Sequence, residues 1–350
     1  MVEIRGHVIG KGMPCFIIAE AGVNHNGDAS LAKKLIDAAQ KAGADAVKFQ
    51  TFKAEDVVTR TAAKAEYQKK TTGAEESQFV MIKRLELGER GLKELVDYAQ
   101  RKRIIFLSSP FDKRSVDLLD ELGVPAFKIA SGEITNLPLI KYIAQKGKPI
   151  ILSTGMSTLG EIEESLETVR EEGAKQIILL HCVSSYPAKA ENMNLRAMGT
   201  LRCAFDLPVG LSDHSLGITI PIAAVALGAC LIEKHLTLDK SLPGPDHQAS
   251  LEPEELKQMI EAIRGVAKAM GDGSKMPTEE EKQIRDVVRR SLIARVNIPK
   301  GTVITEAMLG IKRPGTGVEP KLIDKVIGTV ARRRIEQDEP LTMNKLEVRQ

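Results

Sequence analysis

Side chains suited to chemistry recur directly after short apolar runs between Cys15 and His235. A buried charge is costly unless it is paired, so a purely structural sheet has little reason to collect such residues at its strand ends. The pattern therefore predicts an enzyme with its active site at one end of a sheet. In chain order the residues are Glu20, Lys48, Ser108, Ser109, Lys128, Ser153, His181, Asp213, His214, Glu233, Lys234 and His235.

The elements that must position these residues form a regular alternation. Eight strand-like runs alternate with amphipathic helical patterns over about 250 residues, which is typical of a (β/α)₈ TIM barrel. In that fold the carboxyl ends of the strands build the active site. One connection, from Thr51 to Glu86, is much longer than the others. It is expected to be a lid or a substrate contact, and a solvated insertion is the alternative.

The chain is expected to contain two domains. Residues 1–270 are predicted to form the barrel and residues 271–289 a linker that begins with a Gly- and Pro-containing stretch. Residues 290–350 contain an internal repeat, in which Ile298 and Leu309 recur as Ile335 and Leu346. We expect this segment to be a small β-rich domain, too short to be secure alone.

Composition excludes several classes of function. Charged residues make up 28% of the 350 residues and nearly cancel, leaving a net charge of +3. This excess is too small to indicate a nucleic-acid or membrane surface. Tryptophan is absent and aromatic residues are only 3%, which disfavours stacking on single-stranded nucleic acid. No signal-peptide core or long apolar run is visible, so a cytoplasmic protein with buried, reduced cysteines is expected.

His214 and His235 end the seventh and eighth predicted strands. Neighbouring strands lie about 4.8 Å apart, so the two imidazoles can share one metal ion. Imidazole suits Mn²⁺, Fe²⁺, Co²⁺ or Zn²⁺, and two protein ligands leave positions open for water and substrate. A hydrogen-bonded structural role for each histidine is the alternative.

Lys48 and Lys128 end the second and fourth predicted strands and are expected to point into the barrel mouth. Two lysines with nearby hydroxyls suit a phosphate or a carboxylate. A Schiff-base lysine remains an alternative for either position. Glu20 and Glu133 are candidate groups for proton transfer or for binding sugar hydroxyls, and a plain salt bridge is the alternative for each.

An ordered set of motifs along nearly the whole chain is similar to the sialic acid synthase family, including its bacterial legionaminic acid synthases. The tail resembles the family's antifreeze-like (SAF) domain. The matching segments are Ile18–Gly27, Lys48–Gln50, Ser109–Asp112, Phe127–Glu133, Ser153–Met156, His181–Pro187, Ser212–Ser215, Glu233–His235, Gly244–His247 and Lys312–Gly317.

The resemblance implies that phosphoenolpyruvate condenses with an N-acetylated amino sugar such as N-acetylmannosamine. It also implies a divalent metal on His214 and His235, with Mn²⁺ preferred and Mg²⁺ or Co²⁺ possible, and a proton-handling role for Glu20. The residues implied for phosphoenolpyruvate are Lys48, Lys128, Ser109, Ser131, Ser153, Ser184 and Ser212. Those implied for the amino sugar are Gln50, Tyr67, Glu133, Tyr186, Asp246 and Arg313.

The resemblance also implies the family's assembly, which is a homodimer in which the SAF domain of one subunit caps the barrel of the other. Arg313 is then expected to act across the interface. Two positions depart from the family pattern: Ser184 stands where asparagine is common, and Asp338 stands where the second repeat is expected to have glycine.

N-acetylneuraminate synthesis is the preferred prediction for the reaction. The main alternative is N,N'-diacetyllegionaminate synthesis, in which the acceptor is a 2,4-diacetamido-6-deoxy sugar. A second alternative makes a 3-deoxy sugar acid from a phosphorylated aldose, which calls for an additional basic pocket. A third is a non-catalytic carbohydrate-binding or ice-binding protein, which leaves the polar strand ends unexplained.

Overall fold

The contacts within the chain divide it into two units, of which the first ends at Gly271 and the second begins at Asp272. The computed structural model describes residues 1–347. The last three residues of the predicted 290–350 domain, 348–350, lie outside the described residues.

The first unit is built on eight parallel strands in a single sheet. The strands are β3 Phe16–Gly22, β4 Ala46–Thr51, β5 Ile105–Pro110, β6 Phe127–Ile129, β7 Ile150–Ser153, β8 Ile177–Cys182, β9 Val209–Asp213 and β10 Leu231–His235. Their order in the sheet is β5-β4-β3-β10-β9-β8-β7-β6, and the two end strands, β5 and β6, have Cα atoms within 8 Å of each other. The sheet therefore curves into a barrel, which confirms the predicted (β/α)₈ fold.

Helices follow the strands and cover the outer face of the barrel. Several begin at capping side chains that satisfy free N–H groups: Asp28 accepts a hydrogen bond from Ser30 N, and Asp112 accepts one from Ser115 N. No helix within residues 1–347 is both long enough and apolar enough to cross a membrane. The barrel helices are α1 Ala29–Ala42, α5 Glu89–Arg101, α6 Lys113–Glu121, α7 Leu137–Ala144, α8 Leu159–Glu171, α9 Ala197–Phe205, α10 Thr219–Ala226 and α11 Pro253–Ala269.

The barrel interior is apolar at one end and polar at the other. Alternate residues of a strand point inward, and the inward residues near the strand starts, such as Ile18, Leu107 and Leu180, form one buried apolar cluster. An N-terminal hairpin that the sequence patterns did not reveal, β1 Val2–Ile4 with β2 His7–Ile9, packs into this cluster. It closes the end of the barrel opposite the strand carboxyl ends. The chemical groups are thus confined to the other end.

The long connection after β4 folds into three short helices. These are α2 Ala54–Val57, α3 Glu66–Thr72 and α4 Gln78–Lys83. The buried ammonium of Lys64 is bonded to the carbonyls of Thr72 and Gly73, the Thr72 hydroxyl and the Glu76 carboxylate, which ties α3 to the segment that follows it. The segment is therefore an ordered insertion with its own internal contacts.

Within the described residues, the second unit contains two α-helices and four short strands. Gly301 and Asp338, which occupy equivalent places in the two copies of the repeat, both have positive φ, 80° and 64°. The departure from glycine at 338 thus preserves the left-handed turn. Ile298 and Ile335 form an antiparallel bridge between the two copies. The elements are α12 Glu279–Val288, β11 Ser291–Ala294, β12 Leu309–Lys312, α13 Ile323–Val326, β13 Val330–Ala331 and β14 Leu346–Glu347.

Candidate functional site

Two lysines and two glutamates form a buried ion cluster at the polar end of the barrel. Lys48 Nζ lies 2.7 Å from Glu20 Oε2 and 3.8 Å from Glu233 Oε2. Lys128 Nζ lies 3.6 Å from Glu233 Oε1. All four side chains are at most 6% exposed. Charges removed from water at this cost are retained where an anionic ligand or a reaction requires them.

The strand register explains part of this cluster. Glu20 and Lys48 are directly paired across β3 and β4, and Glu233 is paired with Ser212 across β10 and β9. Glu233 also lies two residues before His235, on the same face of β10, whereas Lys234 points the other way and pairs with Asp213. The contacts of Glu233 with the two lysines join strands that are not neighbours in the sheet, so they depend on the curvature of the barrel.

The two carboxyl groups of the cluster have pKa values that are shifted in opposite directions. Burial raises the pKa of Glu20 to about 7, although Lys48 opposes the change. Burial also opposes ionisation of Glu233, but Lys128 and Lys48 outweigh it and hold its pKa below the usual value. The pKa of Lys128 is lowered by its burial, against the attraction of Glu233. The site therefore contains one firmly ionised carboxylate and one that titrates near neutrality.

Two of the serines predicted for anion binding contact the ion cluster, and two others lie together beside Gly155. Ser109 Oγ accepts a hydrogen bond from Lys48 Nζ at 3.2 Å, and Ser212 Oγ donates to Glu233 at 2.9 Å. Ser131 Oγ accepts from Gly155 N at 2.9 Å. A Cβ added at Gly155 would meet both Ser184 Oγ and Ser131 Oγ, which places these two hydroxyls side by side. Only a residue without a side chain fits between them.

One more serine has an unused hydroxyl. Ser153, at the end of β7, is 2% exposed, and its Oγ has no hydrogen-bond partner among residues 1–347. A buried hydroxyl without a partner carries a free-energy cost of about 1–3 kcal/mol. Such a group fits a bound ligand that supplies the missing partner.

His214 and His235 lie together, with ring centroids 5.4 Å apart. His214 Nδ1 lies 2.9 Å from the Val183 carbonyl, to which it donates, so its Nε2 is the nitrogen available to a metal. The carbonyl and the nearby Cys182 raise the pKa of His214 despite its burial, so a metal must compete with a proton there. Burial and His214 lower the pKa of His235 well below its usual range, which leaves it in the neutral form that ligates metals.

The donor set fits a divalent metal with two protein ligands. His235 Nδ1 is buried and has no hydrogen-bond partner in the described residues. No group of three or more histidine, cysteine, aspartate or glutamate side chains within residues 1–347 is placed to hold a metal ion. The other positions around an ion on these two imidazoles would remain open to water and substrate.

A cavity of about 220 Å³ opens beside the histidines. Gln50, Tyr67, Tyr186 and Asp246, all predicted for sugar binding, line it together with His235. Tyr186 stacks on Tyr67 at 5.0 Å and lies 4.1 Å from the His214 ring. Burial raises the pKa of Asp246 to about 6. Four of the predicted sugar-binding residues thus share one concave site with His235.

The loop that carries Asp246 is supported by the Asn24–Asn26 motif. Asn24 Nδ2 donates to the Leu236 carbonyl and to Ser250 Oγ, both at 2.9 Å. Ser250 Oγ in turn donates to the Asp246 carbonyl at 2.7 Å. His247 Nε2 lies 3.3 Å from Asn26 Oδ1. The motif after β3 therefore positions a cavity residue more than 200 positions away in the sequence.

Two predicted sugar-binding residues lie elsewhere. Glu133 accepts a hydrogen bond from Asn136 Nδ2 at 2.8 Å, at the start of α7, and no contact joins it to the ion cluster among the described residues. Arg313 belongs to the second unit, where it precedes Pro314 through a cis peptide bond. Their roles in sugar binding remain predictions.

Sequence reasoning missed Glu233 as a site residue. The available signal was the two-residue period of a strand, which puts Glu233 on the same face as His235. It also did not identify the apolar part of the cavity, because Val57 and Ile82 come from helices inside the insertion.

The fold and the site define a TIM-barrel enzyme with a buried ion cluster and a small cavity that has both polar and apolar lining residues. A family model described as the NeuB family matches residues 35–275, and a SAF domain model matches residues 289–347. The chain belongs to the NeuB family and carries a SAF domain.

Relatives and solved structures agree with this assignment. The chain is 54% identical over 325 residues to the N,N'-diacetyllegionaminic acid synthase of Campylobacter jejuni, covering 92% of this chain and 97% of that protein. It is 49% identical to the enzyme of the same name from Legionella pneumophila, over 91% of each chain. The N-acetylneuraminic acid synthetase of Leptospira borgpetersenii, solved in complex with citrate, superposes with a TM-score of 0.72 at 38% identity, covering 81% of this chain and 95% of that chain.

Proposed function

We propose that this enzyme condenses phosphoenolpyruvate with a 2,4-diacetamido-2,4,6-trideoxy hexose to give N,N'-diacetyllegionaminate and phosphate. The observation that carries the proposal is the buried pair Lys48 and Lys128, whose ion cluster is joined to the cavity by a 3.4 Å hydrogen bond from Gln50 Nε2 to Glu20. Two buried ammonium groups in a cluster that also contains serine hydroxyls suit a small ligand that bears both a phosphate and a carboxylate.

The comparisons favour the legionaminate alternative over N-acetylneuraminate synthesis, because the two relatives at 54% and 49% identity bear the legionaminic name. The cavity also disfavours a phosphorylated sugar as the acceptor. The described residues that line it include no lysine or arginine, and a sugar phosphate calls for such a cation. This also disfavours the synthesis of a 3-deoxy sugar acid from a phosphorylated aldose.

Different residues have separate roles in the reaction. Carbon 3 of phosphoenolpyruvate attacks the aldehyde carbon of the open-chain sugar, water adds at carbon 2, and phosphate leaves by carbon–oxygen cleavage. Lys48 and Lys128 hold the phosphate and carboxylate and neutralise their charge. Glu20, whose pKa of about 7 suits proton transfer near neutral pH, takes a proton from the attacking water or gives one to the alkoxide that becomes the new hydroxyl.

His214 and His235 would hold a divalent metal, with Mn²⁺ preferred and Mg²⁺ or Co²⁺ possible. A divalent metal held there would supply Lewis-acid polarisation of the aldehyde oxygen. Tyr186, whose ring lies 4.1 Å from the His214 ring in a tilted arrangement, supports the orientation of that imidazole. We propose that the active form is a homodimer in which Arg313 of one subunit reaches the sugar bound by the other.

The test measures phosphate release from phosphoenolpyruvate with Mn²⁺ and one acceptor at a time. The acceptors are the diacetamido-trideoxy sugar, N-acetylmannosamine and N-acetylmannosamine 6-phosphate. We expect the highest kcat/KM with the first. Phosphate release supported best by the 6-phosphate would contradict the proposal, and the absence of release with every acceptor would exclude a condensing enzyme of this kind.

A further inference from the structure

The cavity beside the histidines has two chemically different ends. One end is polar and contains His235 and Asp246. The other is an apolar wall, which we define as Phe52, Val57 and Ile82. Phe52 is 6% exposed, and Val57 and Ile82 pack against the small buried cluster to which it belongs.

The wall is supplied by the insertion after β4. Val57 ends α2, Ile82 lies within α4, and these two helices contact each other. Phe52 packs edge-on against Phe111, with ring centroids 6.1 Å apart. The barrel therefore provides Gln50 and His235 to the cavity, and the insertion provides the apolar wall as well as Tyr67, Gln68 and Gln78.

The orientation of the sugar within the cavity follows from the proposed function, on which this inference rests. The aldehyde carbon must lie at the lysine and histidine end, where the carbon–carbon bond forms. The opposite end of the six-carbon chain, carbon 6, then points toward the apolar wall. A hydroxyl there would lose water without gaining a partner from a valine or isoleucine side chain, whereas a methyl group would gain apolar burial.

We infer that Phe52, Val57 and Ile82 form a subsite for the methyl group at carbon 6 and select 6-deoxy acceptors over 6-hydroxy acceptors. The subsite contacts only the substituent at carbon 6 and does not recognise the acetamido groups. A pocket that differs by one methyl or hydroxyl group discriminates about 10-fold to 200-fold, so the unaltered enzyme should prefer the 6-deoxy sugar by at least about tenfold.

The test compares N-acetylmannosamine with its 6-deoxy analogue, which differ only at carbon 6. The variant Val57→Thr is isosteric and places a hydroxyl in the wall, where it can pair with a 6-hydroxyl. The ratio of kcat/KM for the 6-deoxy sugar to that for the 6-hydroxy sugar should fall about fivefold, the value of one hydrogen bond. The KM for phosphoenolpyruvate should stay unchanged, which separates a local effect from damage to the fold.

Val80→Thr is the matched control. Val80 lies in α4 like Ile82 but is 45% exposed and outside the cavity lining, so the ratio should stay at the value of the unaltered enzyme. A ratio unchanged in Val57→Thr, or an unaltered enzyme that prefers the 6-hydroxy sugar, would overturn the subsite while leaving the condensing activity in place. Failure of the enzyme to condense any acceptor would instead refute the proposed function, and the subsite with it.

Discussion

The ion cluster predicts a specific consequence of removing one charge. In Glu233→Gln, Lys48 and Lys128 lose the carboxylate that lies 3.8 Å and 3.6 Å from their ammonium nitrogens. At an effective dielectric constant of about 20, each attraction is about 4 kcal/mol. Partial deprotonation of Lys128, whose pKa burial already lowers, offsets part of this loss. We therefore expect a net loss of about 3–5 kcal/mol, the usual cost of breaking a buried pair.

The assay is thermal unfolding with and without inorganic phosphate. A loss of about 3–5 kcal/mol in the free energy of unfolding lowers the midpoint temperature of unfolding of a domain of this length by about 10 °C. Phosphate should raise the midpoint of Glu233→Gln more than that of the unaltered protein, because the anion replaces the missing negative charge. Glu163→Gln, which removes an exposed carboxylate from α8, is the control. Equal midpoints for Glu233→Gln and this control would refute the view that Glu233 neutralises the lysines.

Three further predictions address the metal, the titrating carboxyl and the dimer. Treatment with EDTA, or the change His235→Ala, should abolish condensation and leave the circular dichroism spectrum unchanged, and added Mn²⁺ should restore activity only after EDTA. The free energy of unfolding should fall by more in the unaltered protein than in Glu20→Gln as the pH rises from about 4.5 to about 7, because the folded state keeps the Glu20 proton over that range. A mixture of Arg313→Ala and His235→Ala chains should recover activity that neither chain has alone, since one site in the heterodimer would combine an intact barrel with an intact arginine.

Each of these three predictions has an outcome that would contradict it. Full turnover after chelation, with metal removal verified by elemental measurement, would exclude a metal on His214 and His235. Parallel pH profiles for the two proteins would show that Glu20 ionises at its ordinary pKa. No recovery in the mixture, with subunit exchange verified by native mass measurement, would show that Arg313 does not act across subunits.

The barrel and most of its polar end could be predicted from the sequence because both depend on strand periodicity. Lys48, Lys128 and His235 stand at or near strand ends, and parallel strands bring their carboxyl ends to one edge. Glu233 could have been found by the same rule, but its partners could not. Its contacts with two lysines depend on the curvature that closes β5 against β6, and no local pattern encodes that distance.

The apolar wall could not be predicted because two of its three residues come from different short helices. Val57 and Ile82 are separated by 24 intervening positions in the sequence, and α2 has only one turn, too short to give a helical period. The hairpin Val2–Ile9 was missed for a similar reason, since its strands have three residues each. In both cases tertiary packing, and not local propensity, determines the structure.

The environments of Glu20 and Glu233 assign different roles to two residues of the same type. Glu233 contacts both lysines and Ser212, and its lowered pKa keeps it ionised throughout the neutral range. Glu20 contacts Lys48 alone of the two lysines, so burial dominates and its carboxyl group gains and loses a proton near pH 7. Because a pair of carboxyl groups with separated pKa values can divide acid–base chemistry between them, Glu233 suits a fixed counter-ion and Glu20 suits the proton carrier. An anion bound to the lysines would raise the pKa of Glu20 further and favour the protonated form, which can donate to a developing alkoxide.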